Sequence, residues 1–381
     1  MSKIVETALD KKHREYVDDA NKADEHMQER SLEEDEPYKI PKWIYRTKVE
    51  TRDMFGCQMV IFNEVEDCER LVIYLHGGIY VNEIKSVHIN FCDKLAKKVN
   101  ASVFAPIYPL APNHTYEETY EIVEKLYRHL LEMNKPIIIM GDSAGGGLSA
   151  AFAEHLAVID LPQPENLILI SPWLDVSMSG DYDEVEADPM LGVDGLREMG
   201  ETWAAELDPK DYKVSPLFGE VENLAKTTLF VGTHEIFYPD VVKFYNKLKD
   251  NGVDAELNVG EEMTHVYAIY PLVSESKEAF KHLVQVILDW MGSWLQIIFN
   301  SSIIKITNQQ GFWKSPILQI YHILYNLINI LHNNQHKRYQ NVKEIKNCRK
   351  DFGKKSSGIY GWCRCGWRAF EGTLRCRGWN L

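Results

Sequence analysis

The chain has little that would mark it as exported, membrane-spanning or metal-bound. No run after Met1-Ser2-Lys3 is apolar enough for a signal peptide. Seven cysteines are spread over 381 residues; Cys57, Cys68 and Cys92 are scattered and outline no disulfide framework, so a reducing cytoplasm is the expected setting. There is no Walker-type phosphate loop, no internal repeat and no convincing metal triad, so no metal and no cofactor are expected. Cys363-Arg364-Cys365 has no further Cys or His at a finger-like spacing and is not taken as a zinc site. The most apolar late segment, 317–331, contains Gln319, His322, Asn326 and Asn329. It is too short and too polar for a membrane span, and a surface-seeking amphipathic helix is its milder alternative. Positive charge is also scarce in the body. Residues 296–381 hold 14 Lys+Arg against 3 Asp+Glu, so with a whole-chain charge of −14 residues 1–295 carry −25. An acidic body argues against nucleic acid as a substrate.

What the chain does have is an alternation of apolar runs and helical periods over residues 70–290. This argues one doubly wound, mostly parallel sheet rather than two cores. Strands are expected at 59–62, 70–75, 102–107, 136–140, 167–170, 228–231 and 255–259. Helices are expected at 117–131, 240–248 and 277–290, with Ile122, Val123, Leu126, Leu130 and Leu131 marking the first of them at helical spacing.

Gly141-Asp142-Ser143-Ala144-Gly145 follows the run 136–140 directly, and a small-residue helix pattern follows it. A serine on so sharp a strand-to-helix turn needs small neighbours, and the first amides of the helix face whatever it attacks. Alone the pattern is weak. Two other segments strengthen it. His76-Gly77-Gly78-Ile79-Tyr80 closes the strand 70–75 and has the backbone freedom to aim N–H groups at a developing oxyanion. Glu261-Glu262-Met263-Thr264-His265-Val266 follows the last expected strand, a place from which a general base could come. Between them, the strand 228–231 leads to His234-Glu235. Nucleophile, acid and histidine in that chain order is the α/β-hydrolase order.

On these residues, together with Tyr108-Pro109-Leu110-Ala111-Pro112 and Ser171-Pro172-Trp173, the chain resembles the hormone-sensitive-lipase-like, His-Gly-Gly esterases of the α/β-hydrolase fold over about residues 37–295. The resemblance implies a serine hydrolase of carboxylic esters acting through Ser143, His265 and an acid, with Gly77, Gly78 and Ala144 as oxyanion donors and His76, Gly141, Asp142 and Gly145 as supporting motif residues. Its partner would be a small ester, with a short acyl chain. Two features depart from the pattern. Ile79 stands where the family often has a third glycine, and its side chain is expected to narrow the acyl site. The family's Asp-Pro-Leu is replaced by Glu235-Ile236-Phe237 ahead of Tyr238-Pro239-Asp240; Glu235 is the expected acid, Asp240 the alternative, and His234 a loop residue. An amidase, lactonase or deacetylase on the same machinery, and a catalytically silent binding protein, are alternatives.

The resemblance also implies a helical cap, built from one or two helices in the charged segment 1–36 and from an insertion at about 174–219, where a helix is expected over 195–207. The opposite charge of residues 296–381 marks either a nucleic-acid- or membrane-binding appendage or a segment foreign to the body. The latter is expected, since the hydrolase looks complete at Leu295, and membrane contact by the tail is the lesser alternative. The oligomeric state is not legible.

Overall fold

The computed structural model describes residues 11–33, 37–41, 44–182, 185, 188–270 and 273–288. The chain divides into Met1–Trp294 and Leu295–Leu381. The expectations for the basic tail, its Cys-x-Cys pair and the segment 317–331 lie outside the described residues.

Eight strands form one sheet in the order β1-β2-β4-β3-β5-β6-β7-β8. They are β1 (Val49–Met54), β2 (Cys57–Phe62), β3 (Arg70–Leu75), β4 (Ala101–Ile107), β5 (Ile137–Asp142), β6 (Asn166–Ile170), β7 (Lys226–His234) and β8 (Ala255–Thr264). β1 and β2 pair antiparallel, as do β2 and β4; every other pairing is parallel. β3, β5 and β6 are buried at every position, which is why they read as unbroken apolar runs: a parallel strand covered on both faces has no polar side to display. Alternation survives within those runs. Leu71, Ile73, Leu75, Ile137 and Ile139 enter one core, and Val72, Tyr74, Ile138 and Met140 the other.

Helices cover both faces. The core on one face takes residues from α1 (Lys11–Asp18), α2 (Ala20–Ser31), α4 (Tyr116–Leu131), α5 (Ser143–Val158), α6 (Val193–Ala204) and α7 (Tyr238–Asp250). The other takes them from α3 (Ser86–Val99) and from a helix described over 274–288. In the N-terminal segment α1 and α2 pack on each other and against α6. α2 is started by Asp19, whose carboxylate accepts the Asn21 and Lys22 amides.

The differences from the sequence-based expectations lie at element ends and edges. β1, Val-Glu-Thr-Arg-Asp-Met, was not expected; it is a partly exposed edge strand carrying charge, as unpaired sheet edges tend to be. β7 and β8 run past their apolar centres, so His234 ends β7 rather than lying in a loop.

The topology fixes where chemistry can occur. β4 lies on one side of β3, and β5 and β6 on the other, so the winding reverses between β3 and β5. Clefts in such sheets open beyond the carboxyl ends of the strands at that reversal. His76 follows β3, Ser143 follows β5, Ser171 follows β6, Glu235 follows β7 and His265 follows β8.

Candidate active site

Ser143 is the first residue of α5 and has φ +53°, a left-handed conformation that a serine pays for in strain of about 1 kcal/mol or more. The turn holds only because its neighbours are small. A Cβ on Gly145 would lie 2.1 Å from the Leu75 carbonyl oxygen, so any larger residue would push α5 off β3.

His265 directly follows β8. Its Nε2 accepts the Ser143 hydroxyl at 2.9 Å, and its Nδ1–H donates to Glu235 Oε2 at 2.6 Å. Glu235 is fully buried, and its other oxygen, Oε1, accepts the Gly232 amide at 2.6 Å and the Ser171 hydroxyl at 2.8 Å. Ser171 in turn accepts the amide of Val266 at 3.0 Å. One hydroxyl therefore ties the carboxylate to the backbone just beyond the imidazole. Val266 has φ +49°, so this tie holds a turn that a β-branched residue does not favour. The Phe237 and His265 rings pack in a T shape with centroids 5.2 Å apart.

Asp240 lies elsewhere. It sits in the first turn of α7, buried, and accepts the Tyr182 hydroxyl at 2.8 Å; burial raises its pKa. Among the described residues it makes no hydrogen bond with His265.

The glycine loop requires a correction. The Gly77 amide was expected to face the oxyanion, but it donates to Asp142 Oδ1 at 3.1 Å. A Cβ on Gly77 would come within 2.4 Å of Asp142 Oδ2 and 2.9 Å of the Ser143 Cβ. Its lack of a side chain thus lets the loop lie against the elbow, while its N–H anchors the loop. Among the described residues the amides of Gly78, Ile79 and Ala144 have no acceptor. Ile79 is buried with φ +62°, a left-handed conformation that a β-branched residue does not favour, so the loop is strained at this position.

Asp142 is the hub beneath this loop. It also accepts the Tyr74 hydroxyl at 2.5 Å and lies 3.4 Å from His88 Nε2. The Lys85 amide donates to His88 Nδ1, which leaves the proton on Nε2, facing the carboxylate. Burial alone would raise the Asp142 pKa; His88, Tyr74 and the Gly77 amide outweigh it and hold the carboxyl below its usual range. His76 stacks on Tyr108 at 4.4 Å and donates from Nδ1 to the Gly77 carbonyl at 2.8 Å; burial lowers its pKa to about 4.

Sequence reasoning gave no role to Ser171, to His88 or to Asp188. Asp188 accepts the amides of Met190, Leu191 and Ile236, so it pins the residue after Glu235; its pKa is pushed up to about 6, chiefly by burial. The Ser-Pro-Trp and Asp-Pro-Met-Leu segments were visible, but nothing local in them points to Glu235. Among the described residues there is no group of three His, Cys, Asp or Glu side chains placed to hold a metal ion, and no helix long and apolar enough to cross a membrane.

A family model described as alpha/beta hydrolase fold matches residues 72–269. An esterase of Acinetobacter venetianus is 28% identical over 223 residues, 57% of this chain and 74% of that protein. An acetyl-hydrolase of Streptomyces hygroscopicus is 29% identical over 218 residues, 56% of this chain and 73% of that protein. Among solved structures, a hormone-sensitive lipase from a metagenome library superposes with a TM-score of 0.60 at 26% identity, covering 70% of this chain and 94% of its own. An esterase/lipase from an uncultured bacterium gives 0.59 at 27% identity, with coverages of 70% and 97%.

Proposed function

The chain belongs to the α/β-hydrolase fold family, on its hormone-sensitive-lipase-like branch, and from that premise we propose that it cleaves carboxylic esters with Ser143 as nucleophile, His265 as general base and Glu235 as the acid that orients it. It is a carboxylic ester hydrolase. The observation that carries the residue assignment is the pair of hydrogen bonds, 2.9 and 2.6 Å, that joins three side chains from three separate strand ends.

His265 takes the Ser143 proton as Oγ attacks the ester carbonyl, and Glu235 holds the ring in the tautomer that can accept it and stabilises the imidazolium that results. The oxyanion is received by the amides of Gly78 and Ala144, with Ile79 N–H beside them. Such donors are worth several kcal/mol because they are oriented before charge develops. His265 then gives its proton to the leaving alcohol, and water repeats the sequence on the acyl-enzyme. No step draws on a cofactor. A catalytically silent binding protein would lack a base or an acid placed to act on the serine. Glu235, 2.6 Å from His265 and with every oxygen hydrogen-bonded, supports a working relay instead.

Residues 37–295 are proposed as the hydrolase body, 1–36 and about 174–219 as its cap, and 296–381 as a segment foreign to the hydrolase. A small uncharged ester is the proposed substrate and the cytoplasm the proposed location, the latter from cysteine usage. The test is hydrolysis of p-nitrophenyl esters from acetyl to dodecanoyl by the intact chain and by Ser143→Ala. Turnover on short esters that falls by several orders of magnitude in the variant is expected. Undiminished turnover in Ser143→Ala, or none by a folded intact chain, would overturn the assignment.

A further inference from the structure

The glycine loop is tied to more than Asp142. The Gly78 carbonyl accepts the amides of Val81 at 3.1 Å and Asn82 at 2.8 Å, which closes the loop into a tight turn. It also accepts the side-chain NH2 group of Asn82 at 3.2 Å. The two backbone donors belong to the turn and move with it. The Asn82 side chain instead joins the turn to the N-terminal helices α1 and α2.

A carbonyl at each end fixes the direction of every hydrogen bond in this connection. The Met190 carbonyl can only accept, so His13 Nε2, 3.1 Å away, carries the ring proton and Nδ1 is bare. The Tyr16 hydroxyl, 2.5 Å from Nδ1, must therefore donate to it. Its oxygen is left to accept from Asn82 Nδ2 at 3.5 Å. At the other end the Gly78 carbonyl demands the NH2 group of Asn82, which turns Oδ1 towards His26 Nε2 at 3.4 Å. The Tyr16 and His26 rings stack at 4.1 Å with 5° between planes, so α1 and α2 present both contacts from one platform. Burial first, then the charges of Lys85 and His265, lower the His13 pKa to about 4, which keeps the ring neutral, as an acceptor must be.

What this connection holds is one peptide plane. The Gly78 C=O and the Ile79 N–H belong to the same planar trans peptide and point in opposite directions, so fixing the carbonyl aims the N–H. The Ile79 amide is one of the three in the loop and elbow that have no acceptor among the described residues. Isoleucine does not favour the φ of +62° found there, and such a conformation persists only where the surroundings impose it.

Resting on the ester-hydrolase reading above, we propose that Asn82 is a positioning residue: joined to Tyr16 and His26, it orients the peptide between Gly78 and Ile79 so that the Ile79 N–H meets the oxyanion, and the docked N-terminal helices thereby complete the oxyanion hole. A donor aimed in this way acts on the charge that develops in the transition state and hardly on the bound ester. Losing the tie is therefore read in kcat, whereas losing a packing contact alone is read in stability or KM.

The experiment measures kcat and KM for p-nitrophenyl acetate, and the affinity of a trifluoromethyl ketone whose adduct with Ser143 carries an oxyanion. It compares the intact chain with Tyr16→Phe, Asn82→Ala and the double variant, with thermal melts beside them. Asn82→Ala should lower kcat by about tenfold or more with KM within about twofold, a part of the roughly 10²–10³ that loss of a whole oxyanion donor costs, and should weaken the ketone in proportion. Tyr16→Phe keeps the ring on His26 and removes only the hydroxyl; it should lower kcat by about threefold, the scale of one neutral hydrogen bond, again with KM steady. The double variant should be no slower than Asn82→Ala, because both substitutions act through one carbonyl. If Asn82→Ala does not fold, Tyr16→Phe carries the test through its own kcat and ketone affinity. A steady kcat in the folded single variants, losses confined to KM, an unchanged ketone affinity, or losses that multiply in the double variant would overturn the proposal. Absence of all ester turnover by the folded intact chain would instead remove the hydrolase reading on which it rests.

Discussion

Replacing Glu235 with glutamine turns one carboxylate oxygen into an NH2 group, and the surrounding donors dictate which one. Oε1 faces the Gly232 amide and the Ser171 hydroxyl. The amide cannot reverse its direction, so the glutamine must keep its oxygen there. Its NH2 group is then turned to His265 Nδ1, where Oε2 accepts at 2.6 Å in the native protein. An NH2 group can only donate, so the imidazole must present a bare Nδ1 and carry its proton on Nε2. That proton points at Ser143 Oγ, 2.9 Å away. The imidazole can then no longer accept the serine proton, although nothing in the site has moved. The same tautomer reversal in a serine protease costs roughly 10⁴ in kcat, or about 5 kcal/mol of transition-state stabilisation, and a loss of that order is expected here. Asp240→Asn is the control. Asparagine can still accept the Tyr182 hydroxyl, so kcat should stay within about tenfold of the parent, as for a substitution that does not touch the relay. The assay is kcat on p-nitrophenyl acetate for both variants, with matching thermal melts to show that each is folded. Near-normal kcat for Glu235→Gln beside a collapse for Asp240→Asn would refute the reasoning and make Asp240 the acid.

Further outcomes follow from the rest of the geometry. Asp142→Ala leaves the Tyr74 hydroxyl, the Gly77 amide and His88 facing a buried gap. It should cost about 3 kcal/mol in urea unfolding and lower kcat by loosening the oxyanion loop; an unchanged midpoint would contradict this role. His76 is held neutral in the fold, with its pKa lowered to about 4 by burial. Between pH 6.5 and 4 the unfolded chain therefore binds the extra proton, and stability falls on acidification by roughly 3 kcal/mol over that window, with no effect above it. His76→Gln should show a shallower loss of urea midpoint between pH 7.5 and 4.5; an identical slope would show that the group plays no part. Ending the chain after Leu295 should leave turnover and the urea midpoint of the body unchanged, and a marked loss of either would assign residues 296–381 to the hydrolase.

Much of this fold was legible because its central strands are buried on both faces. Their sequences are continuous apolar runs, and the three loops that follow β3, β5 and β8 carry motifs that are weak singly but in their chain order suggest acyl transfer. What was not legible depends on register. β3 and β5 pair Leu75 with Gly141, and it is this alignment that sets Asp142 against Gly77 and takes that amide away from the oxyanion. The choice between Glu235 and Asp240 was open for a similar reason. The two are five positions apart, and only the start of α7 decides which of them faces the end of β8. Ser171 has no local signature either; it reaches Glu235 because β6 lies beside β7, with Ile170 paired to Phe230, and β7 runs on only to His234. β1 escaped notice for the opposite cause, since an edge strand carrying charge lacks the apolar pattern by which a strand is recognised.

The central claim is that Ser143 is a nucleophile made reactive by His265. The most direct measurement is treatment of the intact chain with a fluorophosphonate ester, followed by peptide mass spectrometry, with Ser143→Ala and His265→Ala in parallel. The account predicts one adduct per chain, on the peptide containing Ser143, absent from Ser143→Ala and formed far more slowly in His265→Ala. An adduct on another serine, or labelling of Ser143 at the same rate without His265, would contradict it.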